Sequence, residues 1–136
     1  MRSRRWIALL LAPLAGVAVA IVASLAASAL APAAKLRTTA VGVSMREYRL
    51  TPYRTRVLPG RVRFNIENFG EDAHDLRVIG PGSSQSIRAT SPEVKAGARH
   101  TLKVTLRTRG LYRLICTIGD HEQRGMVGRL RVVRRL

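Results

Sequence analysis

The sequence predicts an all-β domain, a Greek-key β-sandwich, preceded by an apolar N-terminal signal or anchor helix. Three observations carry that expectation. Residues 6–34 hold no charge, apolar and polar residues alternate with a period of two beyond residue 40, and Gly/Pro turns interrupt that alternation at short intervals. No stretch of the folded part has the period of an amphipathic helix.

The leader comes first. Arg2, Arg4 and Arg5 precede the uncharged run Trp6 to Ala34, the order of a basic n-region and an apolar segment. At 29 residues the run exceeds the ~7–15 of a signal core and the ~20 of a spanning helix, which favours an uncleaved anchor. Its alanine content, Pro13 and Gly16 favour a cleaved signal, with Ala27-Ser28-Ala29 and Ala31-Pro32-Ala33 as cleavage sites. Both readings stand; a buried helix of the domain itself fits the basic flank less well. Ser3-Arg4-Arg5-Trp6-Ile7 resembles the opening of a twin-arginine signal, although an ordinary basic n-region contains the same pair. A lipoprotein anchor needs a processing-site cysteine, and none lies near this N-terminus. The expected organisation is a leader over 1–34, a linker over 35–40 and one domain over 41–136. Membrane association runs through residues 6–31 if the leader is an anchor. Either way the domain is exported, to a periplasm or cell surface.

The strands follow in order. In Val41-Gly42-Val43-Ser44-Met45-Arg46 the apolar residues share one face, and Leu58-Pro59-Gly60-Arg61 reads as a turn. Val62, Phe64 and Ile66 then alternate with Arg61, Arg63, Asn65 and Glu67. His74 to Ile79 reads as another short strand, and Gly80 to Gly97, with its prolines and serines, mostly as loop. Leu102, Val104 and Leu106 mark a strand, Thr108-Arg109-Gly110 a turn, Leu111 to Cys116 a strand, 117–125 a loop, and Met126 to Val133 the last strand.

Charge and cysteine content narrow the function. Without Arg2, Arg4 and Arg5 the chain keeps 21 Lys and Arg against 8 Asp and Glu, a net +13. Such a field favours acidic protein partners or anionic lipids and polymers, although much of it simply solubilises strand faces. Nucleic acid is not expected, because there is no basic helix or zinc finger, few aromatics are present, and export removes the chain from the genome. Cys116 is the only cysteine, so no intrachain disulfide forms. A lone thiol in an oxidising compartment calls for a reason, either burial or a metal.

The chemistry concentrates in Cys116-Thr-Ile-Gly-Asp-His121-Glu-Gln-Arg-Gly-Met126, a C-x4-H-x4-M pattern between two strand ends. Loops at one end of a sandwich converge, so His74, 42 residues upstream of Cys116, can complete the set. A thiolate and two imidazoles with a weak axial thioether make a type 1 copper site, one ion per domain. Structural zinc would recruit more cysteines and no methionine. Each residue alone is ordinary: Cys116 a core thiol, His74 a loop histidine, Met126 core. Together, in this order, they favour copper. His100 lies outside the set, and Tyr48, Tyr53, Tyr112 and Phe64 are expected to pack in the core or at its rim.

These residues resemble the cupredoxin family, of the plastocyanin and amicyanin type, over about the last 95 residues. The resemblance includes Met45-Arg-Glu-Tyr-Arg-Leu-Thr-Pro52, the Pro59-Gly60 turn, Asn65-Ile-Glu-Asn68 running on to His74-Asp75, Gly110 to Cys116, and Gly125-Met126-Val-Gly128. It implies copper on His74, Cys116, His121 and Met126, with His121 as the near-surface imidazole that passes electrons. It also implies that Asp75 ties the two ligand loops by accepting from Thr117. Two features depart from it. Gly119-Asp120 stands where Pro-Gly is common, and Asp120, Glu122 and Arg124 surround His121 where relatives are often apolar.

The leading expectation is a single-electron carrier docking briefly to an extracytoplasmic redox protein, acidic in the simplest case. One cysteine excludes a binuclear copper-A centre and three histidines exclude a trinuclear cluster, so no enzyme is expected. The alternatives are a copper-handling or delivery protein with the same ligands, and a metal-free interaction module.

Overall fold

Nine strands carry the alternation in the described residues, 38–82 and 86–136, of a computed structural model. The leader lies outside them. The strands are β1 (Thr38–Arg46), β2 (Arg49–Pro52), β3 (Arg56–Val57), β4 (Gly60–Asn68), β5 (Arg77–Ile79), β6 (Ile87–Thr90), β7 (Arg99–Leu106), β8 (Gly110–Ile115) and β9 (Val127–Val132). No helix occurs among the described residues. The first residues of β1 lie in the stretch read as linker.

The strands form two sheets, ordered β2-β1-β4-β7 and β3-β9-β8-β5-β6. Both are mixed: β1 runs parallel to β4 and β3 parallel to β9, and the other neighbours are antiparallel. Val62, Phe64 and Ile66 of β4 are buried while Arg61, Arg63 and Asn65 are exposed, which is the period-two pattern acting as a face selector. The apolar faces meet in one core, where Val41, Val43, Met45 and Phe64 of the first sheet join Val78, Tyr112, Leu114 and Leu130 of the second. Tyr112 reaches Thr108 O with its hydroxyl (2.9 Å), so the ring is buried without orphaning its polar end. Phe64 and Tyr112 are thus core, whereas Tyr53 is 70% exposed at the rim.

Two readings change. Only Arg77–Ile79 of the predicted 74–79 strand is strand, because residues 74–76 pair elsewhere. His74 bridges Val94, and Leu76 N–H donates to Ser91 Oγ (2.9 Å) while Ser91 N–H donates to Leu76 O (2.9 Å). The predicted loop 80–97 contains β6, an edge strand with a mostly exposed sequence, Ile-Arg-Ala-Thr, and therefore no alternation to read.

Candidate metal centre

His74, Cys116 and His121 converge at one end of the sandwich, all buried. Each reaches the point by a different route. Cys116 follows β8 directly, and its N–H donates to Met126 O (3.2 Å), closing the ligand loop at its base. Within the loop, His121 N–H donates to Ile118 O (3.1 Å) and Met126 N–H to His121 O (2.9 Å), so successive turns fold the chain back on itself. Met126 is fully buried at the start of the returning strand.

His74 is fixed by Asn68, a fully buried residue at the end of β4. Its amide donates to Asp72 O (2.7 Å) and Val94 O (2.8 Å), and its Oδ1 accepts from Gly70 N–H (2.9 Å). One side chain therefore shapes the loop from β4 to His74 and ties it to the strand partner of His74. Asp75 then joins the two ligand loops. Its carboxylate accepts from Thr117 N–H and Thr117 Oγ–H, both at 2.5 Å, as the resemblance implied.

Three donor atoms face one another. His74 Nδ1 lies 3.2 Å from His121 Nδ1 and 3.9 Å from Cys116 Sγ, and Cys116 Sγ lies 3.5 Å from His121 Nδ1. The point in their plane equidistant from all three is ~2.1 Å from each, close to metal–nitrogen bonds of ~2.0–2.1 Å and slightly inside a metal–sulfur bond of ~2.3 Å. The triangle thus has the size of a three-coordinate metal site, and its donors are one thiol and two imidazoles.

Electrostatics agree with a site that binds a cation in place of protons. Burial, reinforced by the neighbouring His121, pushes His74 below the ordinary histidine range, so its ring is neutral with a lone pair to give. Burial pushes the Cys116 thiol up, and hydrogen bonds from the N–H groups of Asp75 and Ile118 pull the other way. With a metal bound, Cys116 would give up that proton, and the same two N–H groups would remain as donors to its thiolate.

The β1–β2 turn covers the site. Glu47 Oε1 accepts from Glu71 N–H (2.5 Å) and Asp72 N–H (3.1 Å) and lies 3.7 Å from His74 Nε2. Those backbone donors hold its carboxyl down to about 2. The next residue, Tyr48, packs edge-on against the His121 ring, 5.5 Å between centroids, and Arg124 sits over the Tyr48 face at 3.5 Å. His121 is consequently only 9% exposed, yet it is the one histidine or cysteine of the set with any surface. Two of the charged residues flanking His121 are engaged, Glu122 by Arg113 and Arg124 by Tyr48. His100 sits on β7 opposite Ile66, away from the set. Glu47, Tyr48 and Asn68 carried no metal signal in the sequence, since a Glu-Tyr turn and a strand-end Asn are common.

No protein-family model and no curated protein matches the chain. Solved structures do. Reduced auracyanin from Roseiflexus castenholzii superposes with a TM-score of 0.60 at 15% identity, covering 70% of this chain and 97% of that one. Auracyanin A of Chloroflexus aurantiacus, a "blue" copper protein, gives 0.60 at 17% identity, over 71% and 100%. Rusticyanin from Thiobacillus ferrooxidans gives 0.59 at 14%, over 71% and 77%. The described part of this chain has the β-sandwich fold of the blue copper cupredoxins, with a His-Cys-His group able to hold a metal ion.

Proposed function

We propose that the protein is an exported type 1 copper protein that carries single electrons, with His74, Cys116, His121 and Met126 as ligands. The observation that carries this reading is the three-donor triangle at the loop end of the sandwich. Its donor chemistry fits copper rather than zinc, and Met126, fully buried with its carbonyl accepting from Cys116 N–H, would add a weak thioether. Copper held there would supply a one-electron Cu(II)/Cu(I) couple. The chain supplies the rest: Asn68, Asp75 and the strand ends fix the donors so that little has to move between oxidation states. His121 is the exit, because His74, Cys116 and Met126 have no exposed surface.

The net +13 beyond the leader supports an acidic extracytoplasmic redox partner, reached in a brief, charge-steered encounter. Residues 1–34 would deliver the domain there, as a signal or as an anchor through 6–31. The test is the optical and EPR spectrum after one equivalent of Cu(II), followed by electron exchange with a redox dye. Intense visible absorption with reversible reduction supports the carrier. The same colour with copper lost readily to a chelator and no electron exchange favours delivery. A colourless sample favours the interaction module.

A further inference from the structure

His74 has a polar atom that the triangle does not use. Its Nε2 is buried and has no hydrogen-bond partner among the described residues, although the side chain is completely inaccessible. A buried N–H in that state is costly, and a neutral ring offering Nδ1 to an ion must carry its proton on Nε2. The acidic atom facing it is Glu47 Oε1, at 3.7 Å.

The surroundings hold that carboxylate in place. Its oxygen takes two backbone N–H groups from the loop leading to His74. Gly70 leaves the space: a Cβ on it would collide with the Glu47 carboxylate. On the other side, Tyr48 adopts φ = 58°, a left-handed conformation that a bulky residue keeps only where its surroundings impose it. The turn is therefore built to present Glu47 inward.

We propose that Glu47 is a positioning residue of the metal centre, fixing the Nε2–H tautomer of His74 and biasing a bound copper towards its oxidised state. A carboxylate behind a ligating histidine makes the imidazole more basic and adds negative charge near the ion, and both effects favour Cu(II) over Cu(I). This rests on the copper reading above and goes beyond it by assigning the residue that tunes the couple.

The test compares the reduction potential of the copper-loaded protein with that of Glu47→Gln, which retains an oxygen for Glu71 N–H and Asp72 N–H but loses the charge. The ratio of Cu(I) to Cu(II) affinity should rise at least tenfold, a potential about 59 mV higher for a one-electron couple. Glu67→Gln, which removes an acid paired with Arg99 on the exposed face, controls for net charge and should move the potential far less. Gly70→Ala keeps every charge but displaces the carboxylate, and should shift the potential in the same direction. In the diamagnetic Cu(I) protein, His74 Nε2–H should appear as a slowly exchanging proton. An unchanged potential in Glu47→Gln, or a His74 proton on Nδ1, overturns the proposal. If the unaltered protein takes up copper without a thiolate spectrum, the copper reading has failed instead.

Discussion

Replacing Asn68 with Ala removes a side chain that makes three hydrogen bonds and is nowhere exposed. Asp72 O, Val94 O and Gly70 N–H each lose their side-chain partner. Val94 O keeps its bond from His74 N–H (3.1 Å), and the Asp72 and Gly70 ends are part-buried, so the cost is three lost hydrogen bonds at ~0.5–1.5 kcal/mol each, about 2–4 kcal/mol in total. The main-chain bonds Asn68 N–H to Ala98 O (3.0 Å) and Gly97 N–H to Asn68 O (2.9 Å) remain, so the fold survives. What loosens is the segment carrying His74, and copper affinity should fall by at least tenfold, as for loss of a group that orients a ligand. Urea unfolding of the apo-protein with an unchanged slope, alongside competitive copper titration, measures both. A stability loss below about 1 kcal/mol with unaltered affinity would refute the assignment of Asn68 as the clamp on the His74 loop.

Cys116→Ser should abolish the intense visible absorption of the copper form, read by spectrophotometry, while the β-sheet circular dichroism persists. Apparent Cu(II) affinity should rise with pH about tenfold per unit from neutrality towards the raised thiol pKa, because binding releases the Cys116 proton; a flat competition titration would contradict a thiolate ligand. Glu47, held down to about 2, is ionised in the folded state and near 4.5 when unfolded, so it stabilises above pH 4.5 and that contribution disappears as pH falls towards 2. Acid titration of the apo-protein should show this loss, and Glu47→Gln should lack it. Phe64→Ala, at a fully buried position, should cost about 3–5 kcal/mol in urea unfolding.

The fold was legible wherever burial imposed a period. β1, β4, β7, β8 and β9 alternate because one face meets the core, and the sequence shows it directly. β6 was invisible because an exposed edge strand has no buried face to encode. Residues 74–76, His-Asp-Leu, run straight into Arg77–Ile79 and read as one strand with it, but their partner is the segment 91–94 rather than β8, and a serine hydroxyl takes part of the ladder's place. The metal-competent set was legible for a different reason: thiol, imidazole and thioether are rare, and their order between strand ends is informative. The groups that position them were mostly hidden, because Asn68 and Glu47 act through backbone amides and space left by Gly70, none of which has a residue pattern. Asp75 was the exception, through its place directly after His74.

Of the three converging donors only His121 has any surface, and it lies under a tyrosine and an arginine. A partner that receives or delivers electrons there would touch Tyr48 and Arg124 first.

Copper K-edge X-ray absorption on the protein loaded with one equivalent of Cu(II) tests the central claim most directly. Three converging donors predict a first shell of two imidazole nitrogens and one short sulfur bond. A shell of nitrogen and oxygen alone, with no sulfur, would contradict the assignment of Cys116, and with it the electron-carrier account.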